Sequence, residues 1–266
     1  MEADMETKDM ITNDFSEIGF EVESSDDIYR MLEENVHNVR QSIRCGEKRH
    51  IVLELDEHSW LFYYGNRDGI DGTDCELFFK NPNILNVKNN GWVTPTEDGY
   101  AGMIEVFCDG ENATGFPLNV TVPNAYVYSG RELDGRIDIA MTMFAQQLDV
   151  YGNMEEYRET CGDGLCLDGC IPYGTFPILN GIDEDSFEPS PEALMSGTVT
   201  EAEKLVNAYT GREFWYITFD CAGHSFQIVA DTRHVPDGVR EGDFVYGSFW
   251  ISGLIIHGRK GKQYVI

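Results

Sequence analysis

Three cysteines spaced Cys161-x4-Cys166-x3-Cys170, with Asp163 and Asp168 between them, form the cluster best suited to metal chemistry. Three thiolates with a fourth ligand from histidine or aspartate can hold zinc tetrahedrally. The spacing departs from the short C-x2-C knuckle, and no second pair follows. Glycines at 162, 164 and 169 therefore favour a tight turn, and no cofactor is expected. A second set is aromatic. Phe214, Tyr216, Tyr246 and Trp250 lie on the side of alternating runs that we assign outward, with His224 at the turn between two such runs. An exposed face of this kind stacks the bases of single strands or holds a small ligand. The same side chains suit a face packed against the preceding domain, and the acidic composition favours that second reading.

Nucleophilic and phosphate chemistry find little support. The chain has no G-x-S-x-G elbow, no P-loop, no G-x-G-x-x-G and no H-E-x-x-H pair among histidines 37, 50, 58, 224, 234 and 257. Many active sites have no linear signature, so an enzyme with scattered residues stays open as an alternative.

Strands must position both candidate groups. Phe214–Cys221, Ser225–Asp231 and Asp243–Ile256 alternate with period two, as half-buried strands do. Ala222-Gly223 fits a hairpin turn, and Gly247 and Gly253 mark a bend or close backbone approach. A long first strand from Ser196, a hairpin, an excursion over 232–239 and a bent closing strand resemble the OB-fold, a five-stranded partly open barrel. The resemblance is to the fold alone, covers about 60 residues, and implies no function by itself.

Upstream, Ile28, Met31, Leu32, Val36, Val39 and Ile43 recur at helical spacing and predict one helix over Ser25–Arg44. Phe15, Ile18, Phe20 and Val22 predict a short strand before it. Runs at 50–55, 60–64, 75–80 and 84–87 read as strands, with a carboxylate-rich turn over 66–74. Ile137–Phe144 fits a strand and a helix equally. The expected class is α+β, mostly β: an N-terminal α+β region over 1–95, a middle β unit over 96–152, an acidic Pro/Gly-rich strap over 153–194, and an OB-like antiparallel barrel over 195–266. The middle unit reads as a diverged repeat of the last, from the paired turns Thr114-Gly115 with Thr210-Gly211 and Leu133-Asp134-Gly135 with Arg240-Glu241-Gly242.

Charge narrows the function. The 266 residues carry −28, and eight acids against seven bases from Met195 onward leave −27 on the first 194 residues. Such a field repels phosphate backbones and steers basic partners. The opening MEADMETKDMITNDF has neither the basic nor the apolar stretch of a secretory signal, no apolar run reaches membrane-spanning length, and seven cysteines fit a reducing cytosol. The leading expectation is a non-catalytic cytoplasmic binding protein whose acidic body engages a basic protein partner, as an immunity-type inhibitor or nucleic-acid mimic does. Alternatives are a single-strand or small-ligand binder acting through the last domain, and an enzyme. Nucleic acid and membrane are not expected partners of the leading reading.

Overall fold

The computed structural model describes residues 15–22, 24–45, 48–66, 75–94, 101–110, 113–128, 132–162, 166–177 and 186–256. The expected carboxylate-rich turn lies almost wholly outside them. The described chain is mostly β, with thirteen strands in two sheets.

The N-terminal element is helix α1, Ser25–Glu34. Its first turn is closed by Asp27, whose carboxylate accepts the Ser24 N–H at 3.0 Å. That is the return half of a capping box. Ile28, Met31 and Leu32 form its buried stripe. The helix stops at Asn35, ten residues short of expectation, and Val39–Cys45 is strand β1. The last three apolar positions of the periodicity are β-branched, a class with lower helix propensity. The ladder with β2 (Lys48–Glu54) supplies the competing hydrogen bonds. Val36 and Val39 consequently lie 66% and 39% exposed rather than in a core. Among the described residues the expected strand before residue 24 is also absent: Phe15 and Ser16 are helical, and Phe15, Ile18, Phe20 and Val22 bury their side chains beside α1.

Strands β1, β2, β3 (Ser59–Asn66) and β4 (Cys75–Phe79) form an antiparallel meander. Both faces are buried over β2, β3 and β4, while β1 is an exposed edge. Leu53, Leu61, Tyr63, Leu77 and Phe79 meet α1 and the N-terminal turn. Val52, Trp60, Phe62, Tyr64 and Phe78 pack on Tyr126, Ala140 and Leu254.

The second sheet contains β5 (Leu85–Thr94), β6 (Gly102–Gly110), β7 (Ala113–Val122), β8 (Arg136–Tyr151), β9 (Cys170–Ile171), β10 (Glu192–Val206), β11 (Glu213–Cys221), β12 (His224–Asp231) and β13 (Phe244–Ile256). Its first strand begins ahead of residue 95, so β5 belongs with the middle unit. The 137–144 ambiguity resolves as strand, because β8 pairs with β13 along nearly its whole length.

The pairings are ring-like. One circuit runs β10–β11–β12–β8–β13 and back to β10; the other runs β5–β6–β7–β13–β8 and back to β5. Both share the antiparallel β8–β13 pair, and each contains one short parallel contact, β12 with β8 and β7 with β13. Each circuit thus borrows a strand from the other half of the chain. β5 to β8 correspond in order to β10 to β13. Gly135 and Gly242 both precede corresponding strands, whereas Thr114-Gly115 lies in β7 and Thr210-Gly211 precedes β11, so that pair of turns does not correspond.

Thr142 and Ser252 face each other across the shared pair. Their hydroxyls donate to the β4 carbonyls of Phe79, at 2.8 Å, and Leu77, at 3.5 Å. The edge of the small sheet is therefore satisfied by side chains of the large one. Thr142 Oγ1 also accepts from Asn81 Nδ2 at 2.7 Å. Thr142→Val keeps the shape but strands a buried carbonyl and weakens the Asn81 anchor. A loss of about 1–3 kcal/mol is expected in urea unfolding, with Ser252→Ala costing less because its bond is longer.

Candidate functional site

The end of β8 opens into a cleft of about 640 Å3, within the size range of small-ligand sites. Asp149, Tyr151, Trp215, His234, Asp237 and Asp243 are among its lining residues. Two features of the 232–243 loop shape it. Asp243 accepts the Arg240 backbone N–H at 2.9 Å and its Nε at 3.3 Å, closing the turn before β13. Gly238, at φ +83°, lets the chain reverse close to the Trp215 ring, where an added Cβ would lie 3.7 Å from the indole.

The loop is also tied to the N-terminus. Glu17, 3% exposed, accepts the Asp231 backbone N–H at 2.7 Å, and its other oxygen lies 3.2 Å from His234 Nε2. That hydrogen bond raises the His234 pKa above the ordinary value, against the opposing effect of burial. Burial also works against charge on Asp231, but hydrogen bonds from Arg233 outweigh it and hold the carboxyl below its usual range. The four side chains form a brace between segments more than 200 residues apart.

A pH dependence follows from the sign of the His234 shift. A raised pKa means the folded state holds the proton more tightly, so the added stability is complete below the ordinary histidine value near 6.5. It is lost as pH rises from there through the folded value. Urea midpoints should fall over that interval in the wild type, and the fall should be smaller in His234→Gln. Equal slopes would remove the ion pair as their cause.

The aromatic set expected to face outward does not make one free surface. Phe214 is 2% exposed and meets Phe79 edge-on, with ring centroids 5.7 Å apart. Tyr216 lies 5.7 Å from the same Phe79 ring, and Trp250 packs into that cluster between the sheets. Tyr246 instead stacks on Tyr157 of helix α2 (Met154–Cys161) at 5.7 Å. His224 is buried at the far hairpin, edge-on to Phe116, and burial lowers its pKa. The reason is tertiary: strands with two apolar faces need two partners, and β4, the N-terminal turn and α2 supply the second.

The cysteines also separate. Cys161 and Cys166 lie together beside Tyr157, while Cys170 packs into the core near Cys221 and Cys108. Burial pushes the Cys170 thiol up strongly, and pushes Cys108 and Cys221 up to about 12. Neutral buried thiols are poor metal ligands. Among the described residues, no group of three or more His, Cys, Asp or Glu is placed to hold a metal ion. Asp163 lies outside them.

No family model, curated protein or solved structure matches this chain.

The cleft lining carries both signs, with Asp149, Asp237 and Asp243 beside Arg240 and His234. Asp149 and Asp237 are exposed on its rim, and α2 follows β8 directly with Glu155, Glu156 and Glu159 exposed. Glu156 is committed to the local fold, because its carboxylate accepts the Gly152 N–H at 2.8 Å. The others have no such role in the described contacts, apart from the stronger preference of acids for a helix N-terminus shown by Glu155. Exposed carboxylates of this kind attract cations. Sequence reasoning found the excursion over 232–239 but missed this site, since nothing linear joins that loop to β8 or to Glu17. Among the described residues, no helix is long and apolar enough to cross a membrane.

Proposed function

We propose that this chain is a non-catalytic cytoplasmic binding protein that uses an acidic surface to engage a basic protein partner. The observation that carries the reading is the pair of exposed carboxylates Asp149 and Asp237 on the 640 Å3 cleft, with the exposed α2 acids that follow β8 in sequence, in a chain with −27 on its first 194 residues. Buried charged groups there, Glu17, Asp231 and Asp243, are spent on holding loops. An immunity-type inhibitor that masks a basic toxin is the concrete form of this reading.

The scaffold is read as two OB-like units that exchange one strand each. Support comes from the two five-strand circuits, each with one parallel contact, and from the matching strand order β5–β8 and β10–β13. A single-strand binder would stack bases on Phe214, Tyr216 and Trp250, of which Phe214 is buried and Tyr216 and Trp250 are partly buried, which favours the first reading.

Affinity capture from native lysate at low and high salt tests the reading. The expected result is a basic partner retained at low salt, released as salt screens the field, and weakened for the variant Asp149→Asn/Glu155→Gln/Glu159→Gln/Asp237→Asn. No partner at low salt, or one indifferent to the four neutralisations, would overturn it.

A further inference from the structure

We propose that Cys161 and Cys166 form a reversible disulfide, a redox modification site at the C-terminal end of α2. Cys161 ends the last turn of α2, Cys166 lies close enough to interact with it, and both are half-buried, within reach of solvent. Cys166 sits over the last turn of the helix, its sulfur 4.0 Å from the Arg158 carbonyl.

Tyr157 holds both flanks of the pair. It neighbours Cys161 on one side, and its hydroxyl accepts the Leu167 N–H at 3.0 Å on the other. The ring is clamped between Tyr151, Phe244 and Tyr246, with centroids 5.1, 4.8 and 5.7 Å away. Burial pushes the Tyr157 phenol up to about 12, so it stays neutral as a hydrogen-bonding anchor. Residues 166–169 are fixed independently: Ser196 Oγ donates to the Leu167 carbonyl at 2.8 Å and accepts the Gly169 N–H at 3.1 Å. The sulfurs are therefore held near each other by two anchored segments, which is what sets apart a resolving pair from two chance surface thiols.

The oxidant is a low-molecular-weight disulfide such as glutathione disulfide. One cysteine sulfur attacks it, forming a mixed disulfide and releasing one glutathione thiolate. The second sulfur attacks the first, forming the Cys161–Cys166 bond and releasing the other. Two electrons pass to the oxidant, and the two thiol protons end on the two glutathione molecules. The neighbouring Cys161 and burial raise the Cys166 pKa, with the Arg158 charge opposing them, so the exchange runs faster as pH rises and more thiolate forms. Cys108 and Cys221, both buried, serve as internal controls, since burial keeps them protonated.

The full chain equilibrated in glutathione buffers, alkylated, then reduced and labelled a second time, gives the site by peptide mapping. The expected result is that Cys161 and Cys166 escape the first label together under oxidising buffer and recover together on reduction. Cys166→Ser should instead leave Cys161 capped by glutathione. Wild-type protein that accumulates the same capped Cys161, or that alkylates at both positions whatever the buffer, would overturn the proposal. So would a disulfide mapping to any other pair of cysteines.

Discussion

Phe79→Ala is expected to lower stability by about 3–5 kcal/mol, the usual range for truncating a fully buried phenylalanine. Phe79 is 1% exposed at the end of β4, the edge by which the small sheet stands on the large one. Its ring meets Phe214 edge-on at 5.7 Å, Tyr216 at 5.7 Å and His58 at 5.5 Å. The cavity cannot close easily, because the backbone on either side is pinned by the Thr142 hydroxyl on Phe79 O and by Asn81 on Met141 O. Urea unfolding with a fixed slope would read the loss as a lower midpoint. A change below about 1 kcal/mol would mean that the two sheets do not depend on this wedge. Truncation should also uncover Phe214 and Tyr216, so a hydrophobic dye should bind the variant before it unfolds.

Gly197→Ala should be at least as damaging, although it adds a single methyl. A Cβ at residue 197 would stand 1.9 Å from the Asp220 carbonyl oxygen, well inside contact distance and against backbone rather than a movable side chain. The bulge between Val199 and Glu201 brings β10 onto β11 at this point, where Thr198 pairs with Asp220. Relief therefore requires the two strands to part, and one circuit of the sheet opens at β10–β11. A cost of about 3 kcal/mol or more is expected, above ordinary overpacking. Gly135→Ala is the matched control: nothing lies within 4 Å of its Cβ position. If both substitutions lowered the thermal midpoint equally, close strand approach would not be the cause.

Period-two alternation was legible wherever a strand has one strongly apolar face. Ile217, Phe219 and Cys221 point into the main core as the pattern requires, and Ala222-Gly223 turns the hairpin with φ of 53° and 86°. Gly247 and Gly253 likewise sit at close approaches, their Cβ positions 2.3 Å from Gln147 O and 2.8 Å from Val120 Cγ1. The helix over 25–44 was half legible. Its first ten residues have a cap and a buried stripe, but Val39–Cys45 obeys the neighbouring strand instead. Periodicity alone cannot see a pairing partner.

The candidate site was less legible. The cleft joins the end of β8 to the 232–243 loop, and its brace reaches back to Glu17, 217 residues from His234. The cysteine cluster looked like one group because its members are close in sequence. Its chain direction turns at Gly169, which sends Cys170 into the core and leaves Cys161 with Cys166 outside.

What the sequence by itself determined was local: which strongly alternating stretches are strands, where the Ala222-Gly223 hairpin turns, and how much negative charge the chain carries. These follow from side-chain alternation, backbone freedom at glycine and simple charge counting, none of which needs a distant neighbour. Tertiary structure alone decided which of two apolar faces is covered, which strand closes each circuit, and which carboxylates stay in solvent. Those outcomes depend on contacts between residues far apart in the chain, where burial outweighs local preference.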